Sequence, residues 1–240
     1  MTLPPLFNSK FPSFIKNYPA KDVQVYWYCP KFSQSRYPPG QSTSEACTLI
    51  CLLVAQRICH SRLQLWSIEK SPRLMIFVAE SIIEGNKTHA RIIEQALVAH
   101  RYLSADEALK FGGNRLATLE EWKFRIFKED IDMLHLNIRK FLEDWYRKPK
   151  ADNLIMLLIT GGRTVLFLFQ EITDKIILFD SHGHICSGNI HRGLVIAQAK
   201  MANLQNLCTW FINDVLNNCF NLKPSQYELT FLYYNCHHHL

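Results

Sequence analysis

Three residues in two short stretches have the types and spacing that nucleophilic catalysis by a thiol requires. Cys47 lies in the stretch PPGQSTSEACTLICLLVAQRI (residues 38–58), where a polar segment becomes an apolar, helix-like one. A thiol at the start of a helix is close to the positive end of the helix dipole, which lowers its pKa and favours the nucleophilic thiolate. Asp180 and His182 lie far downstream, in the stretch LFDSHGH (residues 178–184).

The spacing of Asp180 and His182 suits a general base and its orienting carboxylate. Side chains alternate along a strand, so residues two apart project from the same face. From there the Asp180 carboxylate can accept a hydrogen bond from Nδ1 of His182, which fixes the tautomer and supports the charged ring. Gly183, immediately after His182, would let a substrate backbone approach closely.

An amide donor for a developing oxyanion is available before Cys47. Gln41 lies six residues before the cysteine, and a side-chain amide can donate to the anionic oxygen of a tetrahedral intermediate. Gln34, 13 residues before Cys47, could fill the same role from a longer loop. The sequence therefore offers a nucleophile, a base with its orienter, and an oxyanion donor.

Each of these residues also has a purely structural interpretation. Free cysteine is among the most buried residue types, so Cys47 can be ordinary core filling. Asp-Ser-His at a strand end can form a turn with a side-chain cap. Asp180, His182 and His184 can also form a metal-ligand set on one face of the strand. Gly183 and the expected end of the strand weaken that geometry, so we expect no metal.

The elements that must position these residues are helical before about residue 153. Residues 1–40 are rich in Pro and aromatic residues and predict an irregular N-terminal arm with a short strand around Val23–Tyr28. Capping-box patterns and apolar periodicity then predict helices. These are a helix to about residue 59 opened by Ser42-x-x-Glu45, helices over 74–83 and 90–100 split by Gly85-Asn86, short helices capped at Ser104-x-x-Glu107 and Thr118-x-x-Glu121, and a longer helix over 131–145.

The remainder of the chain predicts a sheet. Residues 154–160, 164–170 and 175–180 are short apolar runs joined by turn residues, which is typical of an antiparallel meander. A helix over about 194–218 and a strand over 228–234 are expected to follow. Helices first and strands later favour an α+β fold, which we expect as one domain over residues 1–240.

The composition narrows the class of protein. The chain has 240 residues, 48% of them hydrophobic and 20% charged, as in ordinary globular proteins. The net charge of +6 is scattered along the chain and forms no basic stripe of the kind that binds nucleic acid. The apolar runs are far shorter than the ~20 residues of a membrane span. Without a secretory apolar segment at the N-terminus, we expect a cytoplasmic or nuclear protein whose eight cysteines are reduced.

Two of these stretches resemble a known family. A glutamine six residues before a helix-opening cysteine resembles papain-like cysteine peptidases. FDSH (residues 179–182), in a late strand after the cysteine, is similar to the deubiquitinating domain of the herpesvirus large tegument protein and its relatives in eukaryotic mobile elements. The resemblance covers roughly residues 38–195. It implies a papain-like α+β fold, with the nucleophile helix packed on a late antiparallel sheet.

The resemblance also implies an activity and roles for individual residues. Cys47 would be the nucleophile, His182 the base, Asp180 its orienter and Gln41 the oxyanion donor, with no cofactor. The expected reaction is cleavage after the C-terminal glycines of ubiquitin or a ubiquitin-like protein. Other protein partners are possible, and neither nucleic acid nor membrane is expected as a partner. The alternative is a catalytically inactive papain-like module that binds or scaffolds other proteins, because a triad can survive while its groove is blocked.

Overall fold

The structure, a computed structural model, describes residues 12–236 and is built around one large antiparallel sheet. In chain order the strands are β1 (Phe14–Ala20), β2 (Val23–Tyr28), β3 (Leu119–Phe127), β4 (Asn153–Thr160), β5 (Arg163–Gln170), β6 (Lys175–Asp180), β7 (His184–Cys186), β8 (Ile190–Arg192), β9 (Val195–Lys200) and β10 (Tyr227–Tyr234). The large sheet has the order β1-β2-β9-β6-β5-β4-β10-β3, and β7 pairs with β8 as a separate hairpin.

Helices cover both faces of the sheet. They are α1 (Cys47–His60), α2 (Pro72–Glu94), α3 (Ala105–Phe111), α4 (Leu134–Arg147), α5 (Leu204–Trp210) and α6 (Asn218–Phe220), with a π-helical segment (Phe211–Asn217) joining α5 to α6. One apolar core unites α1–α3 with one sheet face, and a second unites α4, α5 and the π-helical segment with the other. Successive strand residues such as Leu157 and Leu158 belong to opposite cores, so the central strands are apolar on both faces.

Helix α1 is the centre of the first core. Every residue from Cys47 to Cys59 is buried, which explains why this stretch shows no clear amphipathic pattern. Its start differs from the prediction, because the helix begins at Cys47 and its N-cap is Ala46, without a side-chain cap. The hydroxyl of Ser44 instead donates to Oδ1 of Asn86 on α2, at 2.6 Å.

Helix α2 is continuous where two helices were predicted. Gly85 and Asn86, expected to break the helix, lie inside it, and α2 ends at Glu94. A Cβ on Gly85 would lie 2.6 Å from Cγ1 of Ile50 in α1, so glycine is required here by the close approach of the two helices. The glycine is therefore a packing residue.

Two further predicted elements are wrong in type. The helix expected from Thr118 and Glu121 is the edge strand β3, which pairs along its length with β10. The helix expected over residues 194–218 begins only at Leu204, because Val195–Lys200 is inserted as β9 between β2 and β6. In both places strand pairing overrides a local helix signal.

The C-terminal sheet and the α+β class are as predicted. The meander over β4, β5 and β6 is confirmed, as is a final strand at β10. Residues 14–20 of the expected irregular arm form β1, and residues 1–11 and 237–240 lie outside the described part of the chain. Between residues 12 and 236, none of the helices has the length and apolar character needed to cross a bilayer.

Candidate functional site

Cys47 and His182 meet where the start of α1 lies above the end of β6. Cys47 is the first residue of α1, and its thiol lies beside the His182 imidazole and Thr164 of β5, both of which act to lower its pKa. Only 4% of Cys47 is exposed, and that exposed part lines a cleft of about 320 Å³. The long-range pairing of residues 47 and 182 is therefore produced by packing the nucleophile helix across the middle of the sheet.

Asp180 and His182 have the geometry of an orienting carboxylate and a base. Oδ1 of Asp180 lies 2.5 Å from Nδ1 of His182 and also accepts the His182 backbone N–H at 2.9 Å. Because Nδ1 is bonded to the carboxylate, Nε2 is the nitrogen left to face the Cys47 thiol. The Cys47 thiol, the His182 imidazole and the Asp180 carboxylate therefore lie in series, with a hydrogen bond between the last two.

The electrostatics of this series favour a thiolate–imidazolium pair. Burial alone would raise the pKa of the Cys47 thiol, but the hydrogen bond and charge of His182 bring it below its ordinary value. Burial would likewise lower the pKa of His182, yet the adjacent Asp180 carboxylate raises it to about 9. The pKa of Asp180, which burial would raise, is held well below its usual range by His182 and His184. Cys51, one turn along α1, has its pKa raised well above normal, first by burial and then by Cys47.

The two candidate glutamines lie in different surroundings. Gln34 is buried and lines the cleft that contains Cys47 and His182. Gln41 is partly exposed, donates from Nε2 to the Thr43 carbonyl at 2.5 Å, and lines a neighbouring cavity beside α2.

The side chain of Gln34 is held by two elements of the site. Its Oε1 accepts from the Ser181 hydroxyl at 2.6 Å, and its Nε2 donates to the Ser44 carbonyl at 3.0 Å. The backbone N–H of Gln34 donates to the Ser181 carbonyl at 2.8 Å. Ser181, between Asp180 and His182, therefore ties the loop before α1 to the end of β6, a function that the sequence analysis missed.

The cleft walls come from several loops that are distant in sequence. Gly183 lines the cleft beside His182, and an added Cβ would lie 3.5 Å from the Ser33 hydroxyl, an ordinary contact. The fold itself therefore tolerates a side chain at Gly183. The opposite wall contains Tyr102 and the β4–β5 turn, in which both glycines have positive φ: Gly161 (56°) and Gly162 (72°).

A second histidine contacts the same carboxylate. Nε2 of His184 lies 3.1 Å from Oδ2 of Asp180, on the side opposite to His182. The ring nitrogens thus point at Asp180 rather than converging with it on a common centre. Within the described residues, no three His, Cys, Asp or Glu side chains are placed to hold a metal ion.

The expectation of reduced thiols throughout is wrong at one pair of cysteines. Cys186 of β7 and Cys219 of α6 form a disulfide, and the other six cysteines are free. The disulfide places Phe220 beside the site, where its ring contacts His184 and supports the guanidinium of Arg163 at 3.4 Å. Cys186 and Cys219 are 33 residues apart, and no local sequence pattern marks them as partners.

Comparisons with known proteins agree with this architecture. No family model matches the chain, and no curated protein matches it. The solved structure of the ubiquitin-specific protease encoded by murine cytomegalovirus tegument protein M48, in complex with a ubiquitin-based suicide substrate, is similar with a TM-score of 0.50 and 16% identity. The match covers 87% of this chain and 86% of that one. The avirulence protein AvrPphB of Pseudomonas also matches, with a TM-score of 0.41, 10% identity, and coverage of 80% of this chain and 95% of its own. The similarity to M48 confirms the α+β, papain-like fold that the resemblance in sequence implies.

Proposed function

We propose that this protein is a cysteine peptidase that cleaves after the C-terminus of ubiquitin or a ubiquitin-like protein. The observation that carries the proposal is the placement of Cys47 beside His182, which is hydrogen-bonded to the buried Asp180, at a cleft that the thiol lines. An activated thiol, an oriented imidazole and a buried carboxylate are the components of nucleophilic acyl transfer.

In this mechanism the Cys47 thiolate attacks the carbonyl carbon of the scissile bond. The C–S bond forms as the carbonyl π electrons move onto oxygen, and the tetrahedral intermediate then collapses with loss of the amine. His182 donates its Nε2 proton to that amine and afterwards accepts a proton from the water that hydrolyses the thioester. Asp180 remains ionised throughout and stabilises the imidazolium.

Gln34 is our candidate for the oxyanion donor. It lines the same cleft as Cys47, and one N–H of its side-chain amide is left over after the bond to Ser44. Gln41, the residue that the resemblance selects, lines the neighbouring cavity instead. Gln34→Ala should therefore lower turnover by about 10²–10³, the loss typical of removing one oxyanion donor, whereas Gln41→Ala should have little effect.

The substrate is proposed from the shape of the cleft and from the M48 neighbour. Three of the residues that line the cleft, Gly161, Gly162 and Gly183, have no side chain, which suits an extended tail of small residues. M48 is itself a ubiquitin-specific protease held with a ubiquitin-based substrate. A ubiquitin-like partner would be met in the cytoplasm or nucleus, where we propose that the protein acts.

The alternative, an inactive papain-like binding module, is favoured by a specific observation. Cys47 is 4% exposed, so a substrate carbonyl reaches the sulfur only through the narrow cleft. An inactive module would keep the same fold and bind a protein without forming an acyl-enzyme.

Labelling with ubiquitin that bears a C-terminal electrophile separates the two functions. We expect one adduct on the wild-type chain by intact mass, located at Cys47 by peptide mapping, and none on Cys47→Ala. Cys208→Ala is the matched control, because Cys208 is equally buried but lies in the core on the other face of the sheet. Binding of ubiquitin without an adduct would establish the scaffold alternative, and an adduct elsewhere would refute the role of Cys47.

A further inference from the structure

His184 is a buried histidine that the proposed reaction does not use. It is the first residue of β7 and is 1% exposed. Its Nε2 lies 3.1 Å from Oδ2 of Asp180, and its Nδ1 lies 2.7 Å from the Gly193 carbonyl oxygen. The ring packs against Trp27 and Phe220, with centroid distances of 5.0 and 5.1 Å. Every polar atom of the side chain therefore has a defined partner.

The protons of His184 follow from the chemistry of those partners. A carboxylate and a backbone carbonyl can only accept hydrogen bonds, so each ring nitrogen that bonds to one must carry a hydrogen. A neutral imidazole has a single N–H, and the imidazolium has two. The contacts with Asp180 and Gly193 are thus both satisfied in the charged form of His184.

The bond from His184 fixes the rotation of the Asp180 carboxylate. The terminal torsion of an aspartate has a broad energy minimum, so the carboxylate plane is set by its hydrogen bonds. His184 bonds to Oδ2 while His182 and its backbone N–H bond to Oδ1. Without the bond at Oδ2, one of the three contacts that orient the carboxylate is lost.

His184 is itself held by a rigid part of the backbone. Gly193 donates its N–H to the Tyr28 carbonyl at 2.8 Å, at the end of β2. A Cβ on Gly193 would lie 2.1 Å from the Cys29 carbonyl oxygen, so this backbone approach is available only to glycine. The Gly193 carbonyl is therefore a fixed acceptor for Nδ1.

The charged groups near His184 contact either the histidine itself or one of its two aromatic neighbours. Asp180 is in direct contact with it. Arg192 lies over the Trp27 ring at 4.7 Å, and Arg163 lies over the Phe220 ring at 3.4 Å. Asp214 offsets part of the Arg192 charge. Each arginine thus contacts one of the two rings that pack against His184, whereas the anionic Asp180 touches His184 itself.

We propose that His184 is a positioning residue, which donates from Nε2 to Asp180 and from Nδ1 to Gly193 and so holds Asp180 in the orientation that aligns His182 with Cys47. The proposal rests on the Cys47–His182 pair of the proposed function. It assigns a tetrad, Cys47–His182–Asp180–His184, in which the Asp180 carboxylate accepts hydrogen bonds from both histidines.

The reactivity of Cys47 towards iodoacetamide tests the proposal without any substrate. In His184→Phe, which keeps a ring but removes both donors, Asp180 should support the imidazolium less well. The thiolate should then form at higher pH, and alkylation of Cys47 near neutral pH should slow by about tenfold, as expected for losing a hydrogen bond to a charged group. His184→Gln, which keeps one donor, should recover part of the rate, and Asp180→Asn should show the full effect.

The matched control is His89→Phe. His89, on α2, is also buried, and its Nε2 lies 2.7 Å from the backbone carbonyl oxygen of Arg101. The His89→Phe substitution should lower the melting temperature while leaving the pH profile of Cys47 alkylation unchanged. A His184→Phe profile that matches wild type would overturn the positioning role.

Histidine ¹⁵N shifts of the wild-type chain give a test that needs no variant to fold. Nε2 of His184 must be protonated near neutral pH, and a bare Nε2 would overturn the proposal. The ubiquitin probe tests a separate claim. If the probe fails while His184→Phe shifts the alkylation profile, the proposed substrate is wrong and the positioning role stands. If the probe labels Cys47 but His184→Phe leaves the alkylation profile unchanged, the proposed substrate stands and the positioning role is wrong.

Discussion

At the scale of single residues, the protonation of His182 makes the stability of the protein depend on pH. Its folded pKa of about 9 is above the value of about 6.5 expected for an unfolded chain, so the folded state binds more protons between these limits. The stability that this proton contributes is complete below about pH 6.5 and is lost as the pH rises through the folded value.

The first prediction isolates this proton from the thiol beside it. Cys47 has a lowered pKa and therefore releases a proton on folding, which opposes the uptake by His182. In a Cys47→Ala background Asp180 still raises the pKa of His182, so we expect the melting temperature to fall as the pH rises above about 6.5. Thermal melts of Cys47→Ala and of Cys47→Ala/His182→Gln should converge towards the alkaline end. Parallel curves for the two variants would contradict a buried imidazolium at His182.

The sequence reveals some residues of the candidate site and hides others for a physical reason. Cys47, Asp180 and His182 could be identified because their spacing along one helix and one strand has a chemical meaning. Ser181 and Gln34 could not be paired, because their contact depends on how the loop before α1 folds against the end of β6. His184 was noticed for its alternation with Asp180, but its second partner, Gly193, arrives from a hairpin whose path only the structure shows.

Among the elements, the contact between α1 and α2 gives a prediction about Gly85. Alanine is a better helix former than glycine by up to about 1 kcal/mol, but a Cβ here would lie 2.6 Å from Cγ1 of Ile50. Overpacking of this kind destabilises by about 1–3 kcal/mol, so Gly85→Ala should lower the free energy of unfolding despite its helix propensity.

A double-mutant cycle with Ile50→Ala identifies the cause. Removing Cγ1 makes room for the new methyl group, so the double variant should be more stable than the sum of the single changes predicts. Strictly additive free energies from denaturant unfolding would show that the contact with Cγ1 of Ile50 is not the reason for the glycine at position 85.

The elements that sequence analysis predicted correctly are those whose pattern and burial agree. The β4–β6 meander consists of apolar runs separated by turn residues, and its turns indeed have positive φ at Gly161, Gly162 and Asp174. β3 and β9 were missed because their local residues permit a helix, and the decision is made by their partners β10, β2 and β6. Such pairings join residues that are distant in sequence, and a local window cannot contain them.

At the scale of the whole molecule, the sheet separates two cores, and the site lies at the end of β6, where residues of both layers come together. Cys47 belongs to the helical layer that rests on one face, whereas Phe220 and the disulfide belong to the layer on the other. Arg163 and His184 contact Phe220 near the end of β6, so both layers contribute to the surroundings of Asp180. A change that weakens the packing of either helical layer should therefore alter the surroundings of Asp180.

The disulfide gives the molecule two opposite requirements for a reducing agent. Cys47 must be a free thiol to react, so mild reductant should raise activity by reversing its oxidation. Stronger reduction should open Cys186–Cys219, whose loop closure stabilises by about 4 kcal/mol, and release Phe220 from Arg163 and His184. Wild-type activity should therefore rise and then fall across a dithiothreitol titration, whereas Cys186→Ser should be less active at the start and show only the rise. Identical titrations for the two proteins would show that this crosslink has no influence on the thiol chemistry, and a peaked wild-type curve would make the protein responsive to the redox balance of its surroundings in both directions.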